Sequence, residues 1–300
     1  MPLSCEDLHS GDLVLFKING ELFHVGIFDS EEDRVSNLID ATSNKGVARS
    51  TLEGLYHTLS NCTKTGNLFG IFDNKLEVSV VRSKKLSGQK IAEQAEFWRL
   101  CGLSYDVGSL ANIVETTWSP LATHSNEEIN TNINRYWNYA KRSHTVLIEN
   151  PTPPGTLIVI CSFFLTPIWN LPKSFVNLFV NLIHYLSDDS NEKKESMPVN
   201  KGVNCAGFVL STLAAVALKD ETKSAFDIEK CKEKLGPIAT INPDNYSLNE
   251  IMANVFNNAE FFEDLGVLDT KNLSRKSFDK ESYREEQRQD AIATEGLKTF

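Results

Sequence analysis

The chain has no closely spaced cysteine pair. Its six cysteines, Cys5, Cys62, Cys101, Cys161, Cys205 and Cys231, are scattered, and no Cys-x-x-Cys occurs. A disulfide scaffold or a zinc ribbon needs clustered spacings, so neither fits, and no metal or cofactor is expected. Most of these thiols read as small apolar side chains in a reducing compartment. An excess of positive charge is also missing. Lys and Arg total 30 against 40 Asp and Glu, a formal net charge of −10, which argues against a general nucleic-acid binder. No basic segment followed by an apolar stretch opens the chain, which predicts a cytoplasmic protein. Nor is there a long unbroken apolar run. The most apolar stretch, 157–186, is interrupted by Asn and Lys and broken by Pro167 and Pro172, so it makes a poor transmembrane helix. No internal repeat is apparent.

What remains is the composition of an ordinary globular protein, 41% hydrophobic and 23% charged over 300 residues. That length is a prior of about two domains. The first 82 residues read as mainly β. Leu13–Phe16 is an apolar run after the Gly11-Asp12 turn, Asn19-Gly20 is a hairpin signal, and Phe23–Phe28 returns as the second strand. Leu38–Thr42 and Leu76–Arg82 are further strands, and 87–101 switches to a helical period with Ile91, Ala95, Trp98 and Cys101 on one face. Residues 107–199 are rich in Asn, Ser and Thr and read as a mostly helical insertion. Within it, 157–186 reads as a helix pair packed on the core or as a lid touching a membrane surface. From 201 to 266 the pattern is compact and α-rich, with a helix from about Asn204 to Leu218. The remainder, 267–300, reads as a charged tail.

Chemistry enters at Cys205. A thiolate nucleophile is favoured at the N-terminus of a helix, by the macrodipole and the free N–H groups there. Lys201–Asn204 is loop-like and Cys205 opens the helix, where the small Ala206 and Gly207 let neighbouring backbone come close. His24 lies on a strand between Phe23 and Val25 and is a candidate base. Asp40 sits inside the apolar strand Leu38-Ile39-Asp40-Ala41, where a carboxylate is costly unless paired. If the two strands are neighbours, Asp40 can hold one ring nitrogen while the other faces Cys205. That is a nucleophile, base and orienter drawn from distant segments. Asp12, beside a strand start, reads as a turn-capping residue. Glu127-Glu128 reads as a solvated face.

At these residues the sequence resembles a known family. Gly11-Asp12-Leu13-Val14-Leu15-Phe16, His24-Val25-Gly26-Ile27-Phe28, Ile39-Asp40-Ala41 and Gly46-Val47 look like the "GDLV-F…HVGI…EA…GV" block of NlpC-type papain-like cysteine hydrolases. Asn204-Cys205-Ala206-Gly207-Phe208-Val209 resembles that superfamily's "DCSGFV" nucleophile helix. The His block precedes the Cys helix, the order of the circularly permuted branch that includes YiiX-like and lecithin retinol acyltransferase-like proteins. Val80-Val81-Arg82, Gly102-Leu103-Ser104-Tyr105-Asp106 and Ile241-Asn242-Pro243 are similar to further YiiX-like segments. Asp40 stands where Glu or His is common in the family, and Ala206 where Ser is.

The resemblance implies an α+β, permuted papain-like fold, with an antiparallel, barrel-like sheet packed on the nucleophile helix. The catalytic core would be split between 1–106 and 200–266. It implies acyl transfer through Cys205, with His24 as base, Asp40 as orienter and Tyr105 near the developing oxyanion. The substrate would be a small peptide, another amide, or an acyl lipid; the apolar 157–186 stretch favours the lipid somewhat. A lipid-directed acyltransferase or thioesterase, and a non-catalytic binding module on the same fold, stand as alternatives. The charged tail with Glu285-Glu286 also suits a C-terminal export signal of a bacterial effector.

Overall fold

The computed structural model describes residues 3–30, 37–42, 46–65, 75–100, 124–142, 204–243 and 246–273. Six antiparallel strands form one sheet: β1 (Leu13–Ile18), β2 (Glu21–Phe28), β3 (Leu38–Thr42), β4 (Gly46–Ser50), β5 (Leu76–Ser83) and β6 (Phe262–Val267). Their spatial order is β4-β3-β2-β1-β5-β6. The protein is thus α+β. β4 and β6 are the sheet edges, and no pairing joins them among the described residues.

The β1–β2 hairpin turns where the sequence places it. Asn19 and Gly20 both have positive φ, 54° and 87°, as the favoured two-residue hairpin turn requires. Successive residues of β1 serve opposite faces. Leu13 and Leu15 join one apolar cluster, Val14 and Phe16 the other, and all of them are fully buried. Such a strand carries no polar alternation because neither face meets water.

The first cluster holds the helices that follow in the chain. α2 (Gly88–Leu100) buries Ile91, Ala95 and Trp98, the face read from the sequence; Cys101 lies outside the described residues. α3 (Asn126–Arg142) lies inside the presumed insertion, yet it packs against α4 (Cys205–Leu218) and buries Ile133, Tyr136 and Ala140. Part of the insertion therefore belongs to the core. Glu128, expected on a solvated face, accepts a hydrogen bond from the Ser125 N–H (2.7 Å) while Ser125 Oγ accepts one from the Glu128 N–H (3.2 Å). This reciprocal cap starts α3. α4 is apolar nearly all round and buried, as a central helix is. It packs over β2 and β3. α5 (Ile228–Leu235) and α6 (Leu248–Glu250), which runs on into a π-helical turn over Ile251–Phe256, complete this layer. α1 (Leu52–Thr65) and a short α7 (Thr270–Leu273) border the second cluster.

Residues on both sides of the insertion build this one sheet, since β6 pairs with β5. β6 has no counterpart in the α-rich reading of 201–266. The core also extends past residue 266, because Leu268 and Leu273 are buried. The 157–186 stretch and residues 274–300 lie outside the described residues. Among those described, no helix is long and apolar enough to cross a membrane.

One backbone contact locks the start of β1 to α2. Gly11 has φ of 89°, and a Cβ there would stand 2.2 Å from the carbonyl oxygen of Gly88. Gly11→Ala is expected to cost about 2–5 kcal/mol, from left-handed backbone and forced overpacking together. Equilibrium urea denaturation against the wild type measures it; a loss below ~0.5 kcal/mol would show that the contact relaxes freely.

Candidate active site

Cys205 is the first residue of α4. Asn204 before it is extended, with φ −86° and ψ 177°, and its Oδ1 accepts a hydrogen bond from the Gly207 N–H at 2.8 Å. This cap fixes where the helix begins. The Cys205 N–H, in the first turn, has no acceptor within the helix. The Tyr246 hydroxyl donates to the same Asn204 Oδ1. A Cβ on Gly207 would lie 2.8 Å from Tyr246 Oη. The bare Gly207 therefore admits a side-chain hydroxyl, where the sequence reading expected neighbouring backbone.

His24 is re-aimed by a bulge. Lys17 pairs with Leu22 and Phe16 with His24, so Phe23 is an extra residue on β2. The imidazole packs 5.8 Å from the Phe16 ring. Pairing of β2 with β3 ends at Gly26–Asp40, which places His24 just past the last rung and diagonal to Asp40. His24 Nε2 donates to Asp40 Oδ2 at 2.8 Å. Asp40 is 1% exposed, and its Oδ1 accepts from the Ser50 hydroxyl at 2.9 Å. Both oxygens of this buried carboxylate are bonded, as burial of a charge demands.

Cys205, at the head of α4, is near enough to the ring to act on it electrostatically. With Nε2 engaged by Asp40, Nδ1 is the ring nitrogen that remains. Burial is the largest single influence on His24 and works against its charged form. Electrostatic interaction with Cys205, the hydrogen bond to Asp40, and the Asp40 charge together outweigh it and push His24 up to about 10.

Of the residues expected at the site, His24 and Asp40 are hydrogen-bonded and Cys205 acts on His24 electrostatically. Tyr105 lies outside the described residues. Asp12 accepts from the His9 N–H at 2.8 Å, the expected turn cap, and also binds Arg82 through both oxygens at 2.7 and 2.8 Å. Cys231, like Cys205, is a buried thiol without a disulfide, and its environment pushes it the inert way: burial raises its pKa. Sequence reasoning missed Ser50 and Tyr246. Ser50 reaches Asp40 only through the β3–β4 register, which pairs Asp40 with Ala48 and Leu38 with Ser50. Tyr246 has no local signal, since it meets Asn204 only through tertiary packing. Among the described residues no group of three or more His, Cys, Asp or Glu is arranged to hold a metal ion. A cavity of about 420 Å³ lined by His124, Thr240 and Asn254 includes none of the residues named above. Comparison of the chain with protein-family models, with curated proteins and with solved structures finds no match.

Proposed function

We propose that this protein is a cysteine hydrolase of amide or ester bonds, working on a permuted papain-like, NlpC-type scaffold. One observation carries the reading. A buried imidazole is hydrogen-bonded to a buried carboxylate, and a cysteine that opens a helix acts on it electrostatically. A structural histidine has no need of both partners; a nucleophile with its proton carrier and orienter needs all three.

In this reading Cys205 Sγ attacks the acyl carbon, and the carbonyl π pair moves onto oxygen. The developing oxyanion is met by the Cys205 backbone N–H at the helix start, with Tyr105 the candidate second donor by family resemblance. As the tetrahedral intermediate collapses, the bond to the leaving nitrogen or oxygen breaks. The proton on His24 Nδ1 passes to that atom, leaving a thioester on Cys205. Neutral His24 then takes a proton from water, hydroxide attacks the thioester carbon, and the thiolate departs beside the regenerated imidazolium. Asp40 keeps the proton on Nε2 throughout, so Nδ1 always faces the reaction. The scheme needs no metal or cofactor.

The test is to trap the intermediate. The full-length protein is incubated with activated acyl esters and peptide amides, quenched in acid, and mapped by mass spectrometry. An acyl adduct on Cys205 alone supports the reading. Adducts spread over several cysteines, or centred on another one, would overturn it.

A further inference from the structure

We propose that Ser50 is a positioning residue of this site, holding Asp40 in the plane from which it grips His24. The inference rests on the catalytic reading above and adds a fourth member to it. Within the β3–β4 hairpin, Asp40 is paired with Ala48 and Leu38 with Ser50. The residue directly across from Asp40 thus offers only a methyl group. Ser50, two residues along on the same face, reaches Asp40 Oδ1 at 2.9 Å. Asp40 Oδ2 holds His24 Nε2 at 2.8 Å. A carboxylate held at one oxygen can swivel about its Cβ–Cγ bond; one held at both cannot. The hydroxyl also supplies a donor to a carboxyl group that is buried away from water.

The strand carrying Ser50 is itself anchored. Arg49 precedes it and points to the opposite face. Its guanidinium is 1% exposed and clamped by Asp29 at 2.5 Å and by Glu96 of α2 at 3.1 Å. Glu96 is gripped in turn by Arg99 at 2.8 Å. β4 is therefore tied to the end of β2 and to α2 on one face while it presents the Ser50 hydroxyl to Asp40 on the other. Edge strands are often left loose, and this one is pinned at the residue beside the site.

The experiment compares wild type, Ser50→Ala and Ser50→Thr as full-length proteins, after circular dichroism shows each folded. Two quantities are read: the iodoacetamide alkylation rate of Cys205 by peptide mass spectrometry, and the low-field proton resonance of His24 Nε2–H. Ser50→Ala is expected to slow alkylation about five- to tenfold, the size of one lost hydrogen bond, and to shift or broaden the resonance. Ser50→Thr, which keeps the hydroxyl, is expected to restore both. If Cys205 of the wild type is fast and Ser50→Ala leaves rate and resonance unchanged, Ser50 has no positioning role while the catalytic reading stands. If Ser50→Thr is as slow as Ser50→Ala, the effect comes from packing and the proposal falls. If Cys205 of the wild type is no faster than the other cysteines, the catalytic reading itself fails. Should Ser50→Ala not fold, Ser50→Cys, of similar size with a weaker donor, takes its place under the same criteria.

Discussion

Cys205→Ala is expected to yield no acyl adduct and no turnover with any substrate that the wild type processes, while the protein remains folded. The chemistry is all-or-none because no other atom at the site can form the thioester. Asn204 and Tyr246 offer only an amide and a neutral hydroxyl engaged with each other. The structural cost is small by comparison. Removing one buried sulfur from a closely packed helix start costs about 1–2 kcal/mol, and the Asn204 cap on Gly207 is untouched. The check pairs intact-mass analysis after incubation with acyl esters with a thermal melt. An adduct of wild-type yield in the variant would move the nucleophile elsewhere; loss of the folded baseline would make Cys205 structural.

The second large effect belongs to the His24–Asp40 pair. His24→Gln is expected to slow acyl-enzyme formation by about 10²- to 10⁴-fold, the range for losing a general acid and base. Asp40→Asn is expected to do comparable damage without removing the ring. The amide cannot offset an imidazolium charge, and its NH₂ group can flip toward Nε2 and drive the ring to the wrong tautomer. Both effects have a titration counterpart. A group whose proton affinity is raised stays charged below its new value and is neutral above it. His24 should therefore remain protonated through neutral pH and lose its proton near pH 10. In Cys205→Ala the interaction with Cys205 is gone while the opposing burial remains, so the proton should leave at a clearly lower pH. Ring ¹⁵N shifts followed across pH in both proteins measure this. Identical titrations would mean that the thiol and imidazole do not interact.

How far this site could be read in advance depends on what each contact is made of. His24 and Asp40 were legible because a carboxylate in an apolar strand demands a partner, and strand alternation says which neighbour can supply it. Cys205 was legible because Asn-Cys-Ala-Gly at the head of an apolar run marks a helix start. Asn19-Gly20 announced its hairpin for reasons of backbone geometry alone. Ser50 was not legible, because its bond depends on the exact β3–β4 register and on the small Ala48 across from Asp40. Tyr246 was hidden for a different reason. It lies 42 positions from Asn204, and only the packing of α6's approach against α4 joins them.

The fold shows the same division. β6 reads Phe-Glu-Asp-Leu-Gly-Val, with only Phe262 buried. It is an edge strand held by backbone bonds to β5, so no side-chain period betrays it. α3 is the opposite case. Ile129, Ile133, Tyr136, Trp137 and Ala140 recur at helical spacing, but the Asn-rich composition around them masks the stripe. Its packing on α4 brings the start of the insertion into the core that supports Cys205. The buried Arg49 cluster could not be foreseen from composition, since a fully buried arginine is rare and its partners come from β2 and α2.

The most direct test of the central claim is the alkylation rate of every cysteine in the native full-length protein, measured together. A limiting amount of iodoacetamide is added at neutral pH, and the six cysteine peptides are quantified by mass spectrometry against time. Cys205 should react at least ~10-fold faster than the others despite its burial, and His24→Gln should erase most of that lead. Uniform slow labelling of all six, or a Cys205 rate indifferent to His24, would contradict the account.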